Sequence, residues 1–209
     1  MFIILGQTHK LIANEVYNNL KEKYNVELNL KKLKWGSIAP DYLPYYKLIR
    51  HYKKESINYI TLEICNLIFF CRYSNLNENT NSFFKKYISK KLGIILHYLC
   101  DYTCYPHANR ITCINSMREH LKYEAELNEF AIDGFKFKDL LLDVEFNYDY
   151  DRMFDIVKTY IEDVVCVYMR DNQSFDNDLN YALFLSTNIS EFVVETVLAY
   201  SEELQYQFI

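Results

Sequence analysis

The chain has 209 residues, half of them hydrophobic, with a net charge of -5 and only 4 glycines and 3 prolines. That length and apolar share suit one domain with a sizeable core, and so few chain breakers exclude a many-turned β architecture in favour of long helices. The acidic balance argues against a broad electrostatic grip on nucleic acid, which depends on Lys and Arg neutralising phosphates.

The stretch from Met1 to Gln7 has no basic n-region, and its apolar run stops at Gly6, too short for a secretory h-region; a cytoplasmic protein is expected. Over residues 8–23, Ile12, Ala13, Val16 and Leu20 recur at helical spacing with His9 on the same face, so His9 points inward. Residues 31–44 carry Gly36, Pro40 and Pro44 and read as an ordered loop that presents Asp41 between two prolines. Residues 45–54 bring His51, and Ser56 is placed to cap a helix running to Tyr73. The longest nearly apolar run, 64–71, contains Asn66 and falls far short of a bilayer span, so no transmembrane segment is expected.

Asn-rich residues 75–82 read as a turn before a helix over 82–103, where His97 and Asp101 share a face with Gly93. With no side chain at Gly93, another backbone or a ligand can approach closely. Cys104 falls nearly on the His97 face and is the one cysteine to weigh as a soft ligand, although imidazole and carboxylate already fill the usual zinc coordination count. The other five cysteines sit in apolar segments without CxxC pairs, as buried reduced thiols do. Tyr105, Pro106 and His107 end that helix, and a further one over 111–130 carries His120 and Glu124. Beyond Gly134 there is no histidine; apolar periodicity over 151–170 and a capping box at Asn188-x-x-Glu191 give a helical packing scaffold over 135–209.

All five histidines therefore fall in one frame with acidic partners: His9, Asp41, His51, His97-x-x-x-Asp101, His107 and His120-x-x-x-Glu124. Residues four apart on a helix lie one above the other, so each His/acid pair offers a nitrogen and an oxygen to one point, which is half a zinc site. Seven or eight such ligands exceed one four-coordinate zinc and call for more than one ion. Adjacent ions suit phosphate-ester hydrolysis, whereas a purely structural cluster would favour thiolates.

These residues, with Thr8-His9, Gly36-Ser37-Ile38-Ala39-Pro40-Asp41-Tyr42 and the run from His97 to Glu124, resemble the zinc-dependent phospholipases C over residues 8–124 and, more remotely, the zinc-dependent single-strand nucleases that share their trinuclear site. The resemblance implies an all-α, single-domain bundle over 1–209, of about eight helices by usual helix lengths, around a di- or trinuclear zinc site. It implies one zinc on Asp41, His51, His97 and Asp101, a second on His107, His120 and Glu124, and a third on His9 with Asp101 bridging. The secreted relatives complete that third site with a processed amino-terminal tryptophan, whereas the only tryptophan here is Trp35, so two or three ions are expected.

The implied activity is cleavage of a phospholipid headgroup by zinc-activated hydroxide, with Asp41 as general base or water orienter. Tyr42 would contact the headgroup by cation–π attraction, and Tyr45 and Tyr46 stand close by in sequence. The family's second headgroup aromatic is Leu48 here, and Pro44 stands where the nuclease relatives carry an arginine. A phospholipid or other phosphoester is thus the expected partner, without a stable nucleic-acid one. Arg50 and Arg110 remain to meet a phosphate. The alternatives are a nuclease or 3′-nucleotidase and a non-catalytic, zinc-stabilised helical protein.

Overall fold

Four apolar residues spaced three and four apart place one buried stripe along α1 (Gln7–Tyr24), where Ile12, Ala13, Val16 and Leu20 are all withdrawn from solvent. The helix stops at Asn25, whose backbone turns left-handed at φ 54° and returns its N–H to the Lys21 carbonyl. The computed structural model describes residues 6–72, 76, 82–111 and 117–207, with side chains to residue 200. Among these there are nine α-helices, one 3-10 turn over Tyr46–Leu48 and no strand.

The stretch expected to be a loop holds two short helices, α2 (Leu30–Gly36) and α3 (Ala39–Tyr42). Asn29 starts α2 by accepting the Lys32 N–H at 3.0 Å, and Pro40 sits in the first turn of α3, where no N–H is needed. In α4 (Lys53–Cys71), Ser56 lies within the first turn instead of capping it. Its buried hydroxyl bonds the Tyr52 carbonyl and lies 2.8 Å from the Tyr102 hydroxyl. The turn expected over 75–82 lies outside the described residues apart from Leu76 and Ser82.

Next come α5 (Ser82–Tyr102), buried continuously from Leu92 onward, α6 (Tyr105–Ala108) and α7 (Met117–Ile132). The expected start of α7 at residue 111 reaches into 112–116, outside the described residues. The scaffold is not helical from 135 as expected. Residues 135–147 carry no regular secondary structure, and Leu140, Leu142, Val144 and Phe146, at alternating positions, pack on the core together with Phe137. The Phe146 ring stacks on Tyr160 at 3.9 Å and on Phe192 at 4.5 Å.

Helices α8 (Met153–Tyr168) and α9 (Phe175–Gln207) complete the bundle. The capping box at Asn188 does not start the last helix: Asn188 bonds the Phe184 carbonyl from mid-helix, and Glu191 pairs with Lys23 at 2.7 Å. The real start lies behind Ser174, whose hydroxyl accepts the Asn177 N–H at 3.1 Å. Over Phe175–Tyr200, α9 is long and apolar enough to cross a membrane by length and composition alone, although polar residues such as Ser186, Thr187 and Asn188 interrupt its apolar run. Half of that window is buried inside the bundle, against α1, α4, α5 and α8.

Helices α2 and α5 cross at two glycines. A Cβ on Gly93 would meet the Leu33 carbonyl oxygen at 2.3 Å and the Gly36 Cα at 2.9 Å; one on Gly36 would meet the Lys90 oxygen at 2.3 Å. The open face expected at Gly93 is thus used by another backbone, and this contact sets Ser37 against His97.

Candidate metal centre

Six separate elements converge on one end of α5. That helix presents His97 and Asp101 one turn apart, both buried, while α1 brings His9, α3 Asp41, α6 His107 and α7 His120 and Glu124; His51 comes from the turn before α4. All eight expected ligands are brought together, in three groups whose ligand atoms lie within 4.8 Å of one another: His9, Asp41 and His97; His51, His97 and Asp101; His107, His120 and Glu124.

Asp101 joins the groups. Its Oδ2 stands 2.9 Å from His51 Nδ1 and 3.3 Å from His97 Nε2, and its Oδ1 stands 3.6 Å from His9 Nε2 and 3.9 Å from His107 Nε2. Glu124 Oε1 lies 3.0 Å from His107 Nε2 and 2.8 Å from His120 Nε2. Asp41 Oδ1 reaches His97 Nε2 at 3.6 Å and His51 Nδ1 at 3.9 Å.

The outer ring nitrogens explain why the inner ones face the centre. His97 Nδ1 donates to the Ser37 carbonyl at 2.9 Å and His120 Nδ1 to the Ile111 carbonyl at 3.2 Å, which leaves each Nε2 turned inward. Asn128 ties α1 to α7: its Oδ1 accepts the Thr8 N–H at 2.8 Å, and its amide donates to the Glu124 carbonyl at 2.8 Å.

Electrostatics follow the same geometry. Burial pushes His9 and His97 down to about 4, so both are neutral near pH 7. Burial alone would raise Asp101, but His107, His97 and His51 around it hold the carboxyl well below the ordinary range. Burial would likewise raise Glu124, yet hydrogen bonds from His107 and His120 bring it to about 2. His51 and His120 are raised, because Asp101 and Glu124 outweigh the effect of their burial.

These side chains suit zinc. The donors are imidazole nitrogen and carboxylate oxygen, and buried Asp101 Oδ2 makes no hydrogen bond despite two imidazole nitrogens close by. Imidazole and carboxylate lone pairs that converge this closely suit a cation between them. Cys104 stands apart: burial, with Asp178 beside it, pushes its thiol far up, so it remains a thiol and donates to Asp178.

The centre opens on a cleft of about 470 Å³ lined by Asp41, His107, Glu124, Tyr42, Met117 and Leu121, together with Lys47. Tyr42 is partly exposed there, beside Trp35. Tyr45 and Tyr46 do not line it: Tyr46 is packed into the core, and exposed Tyr45 sits edge-on against it at 5.1 Å. Arg110 is engaged by Glu55. The cation that does line the cleft is Lys47, overlooked in the sequence because it follows two tyrosines in a segment read for aromatics.

A helical bundle holding adjoining His/carboxylate groups of this kind is a zinc-binding all-α protein. The chain belongs to the zinc dependent phospholipase C family, whose model matches residues 8–174. No curated protein and no solved structure matches it.

Proposed function

We propose that the protein is a phospholipase C-type phosphoester hydrolase that holds two or three zinc ions on His9, Asp41, His51, His97, Asp101, His107, His120 and Glu124. The observation that carries this reading is the opening of three adjoining ligand groups onto one cleft. Zinc bound there would acidify water and draw charge from the phosphoryl oxygens.

The chain's own residues supply the rest. Asp41, with 40% of its side chain exposed at the cleft, reaches both the ligand groups and the solvent side, so its carboxylate can take the proton of the attacking water. The water oxygen bonds to phosphorus, the bond from phosphorus to the glycerol oxygen breaks, and that oxygen leaves as an alkoxide that takes its proton from solvent water in the cleft. Lys47 offers positive charge to the phosphate, Tyr42 an aromatic face to the headgroup, and Met117 and Leu121 apolar contact for the glyceryl portion.

The test is hydrolysis of detergent-dispersed phosphatidylcholine, a chromogenic phosphodiester and a single-stranded oligonucleotide, each before and after chelation. Zinc-dependent lipid turnover is expected; turnover of the oligonucleotide alone would make the protein a nuclease. Inactivity of a fully metallated protein on all three would sink the proposal in favour of a structural zinc role.

Zinc binding is also expected to release protons. Asp101 and Glu124 make His51 and His120 hold their protons to higher pH than an ordinary histidine, and an incoming ion must displace those protons, whereas His9 and His97, pushed down to about 4, are neutral near pH 7. Affinity should therefore rise with pH through the raised values and fall on acidification. Calorimetry of zinc binding to the chelated protein, in two buffers of different ionisation heat, reads the proton count directly; net proton uptake would contradict the assignment.

A further inference from the structure

One buried carboxylate lies outside the ligand set and beyond the matched family segment. Asp178, in the first turn of α9, is only 2% exposed, whereas Asp176 of the same turn faces outward and pairs with Lys138. Asp178 Oδ1 accepts the Tyr168 hydroxyl at 2.7 Å, and Oδ2 accepts both the Tyr105 N–H at 3.0 Å and the Tyr123 hydroxyl at 2.9 Å. It also borders a small cavity, about 40 Å³, shared with His9, Asp101 and Glu124.

The partners of Oδ2 give this carboxylate its meaning. Tyr105 opens α6, a four-residue helix too short to hold itself, and His107 stands two residues further on. Tyr123 precedes Glu124 on α7. One oxygen thus ties the element carrying His107 to the element carrying His120 and Glu124, and the Tyr168 hydroxyl fixes the carboxylate to α8. We infer that Asp178 is a positioning residue for the His107, His120 and Glu124 group, holding α6 and α7 at the separation at which one zinc meets all three. The inference rests on the proposed zinc ligation.

The experiment is zinc affinity of the full chain, measured by competition with a chromophoric chelator, for the wild type, Asp178→Asn, Asp178→Ala, Tyr123→Phe and the double variant Asp178→Asn/Tyr123→Phe. His120→Ala and His97→Ala identify which affinity class belongs to which group. Asp178→Asn is expected to weaken the class lost in His120→Ala by roughly 10- to 100-fold and to leave the other within about twofold, as outer-layer partners of metal ligands do. Tyr123→Phe should weaken the same class less, and the double variant should be no weaker than Asp178→Asn alone, because both act through one contact.

Thermal unfolding of the zinc-free forms is read in parallel. A lower midpoint with both classes unchanged, or with both weakened alike, would make Asp178 a core polar group only and overturn the inference. If the Asp178 variants do not fold, Tyr123→Phe decides, and unchanged affinity there overturns it. A wild type that binds no zinc would overturn this inference together with the proposed function, whereas zinc bound normally by both wild type and Asp178→Asn would overturn this inference alone.

Discussion

With Asp101 replaced by asparagine, the protein is expected to lose more than one zinc per chain and to hydrolyse phosphoesters roughly a hundred- to a thousandfold more slowly, the rate equivalent of several kcal/mol of lost metal assistance. No other carboxylate among the described residues reaches so many ligands: its two oxygens lie within 4 Å of His9, His51, His97 and His107. Asparagine keeps the shape, so packing around this buried position is spared. It removes the charge and turns one oxygen into a donor aimed at imidazole nitrogens. Asp41→Asn makes the contrast, because that side chain is 40% exposed and comes within 4 Å of two histidines, His51 and His97, against four for Asp101; its variant should keep most of the metal and lose turnover. Elemental analysis with initial rates separates the two. A full zinc complement and unimpaired turnover in Asp101→Asn would remove Asp101 from the centre.

Gly93→Ala should cost about 3 kcal/mol of stability, the upper end of ordinary overpacking, and lower the thermal midpoint by roughly 6–12 °C for a chain of this size. Helix propensity alone predicts the reverse, a gain of about 1 kcal/mol for alanine over glycine. The methyl would stand 2.3 Å from the Leu33 carbonyl oxygen and 2.8 Å from the Ser37 nitrogen, and neither is a flexible side-chain end. Helices α2 and α5 must move apart, carrying with them the Ser37 carbonyl that orients His97. Zinc affinity should therefore fall together with stability. Gly36→Ala opens the same crossing, so the double variant should lose much less than the sum of the two. Chemical denaturation measures all three proteins, and a Gly93→Ala variant at least as stable as the parent would contradict the close crossing.

The parts of this centre legible in the sequence were those on long helices. His97 with Asp101 and His120 with Glu124 declare themselves because four-residue spacing has one geometric meaning on a helix. Helices α2 and α3 did not, since seven and four residues are too few to show a period, and glycine and prolines around them carry loop signals. The start of α9 was not legible because Asn188-x-x-Glu191 has the letters of a capping box, while packing on neighbouring helices carries the chain straight through it. Asp178 was invisible for another reason. It stands two residues from surface Asp176, and only the tertiary approach of Tyr105, Tyr123 and Tyr168 distinguishes them. Tyr46 went to the core and Lys47 to the cleft for the same kind of reason: neighbours in a turn diverge by direction, which composition does not encode.

All five histidines of the chain stand in this one cluster. Every imidazole resonance in a proton spectrum of the protein therefore reports on the centre, with no histidine elsewhere to add its own. Occupancy, protonation and the arrival of a phosphate can each be followed at natural abundance, without labelling the chain or altering a residue.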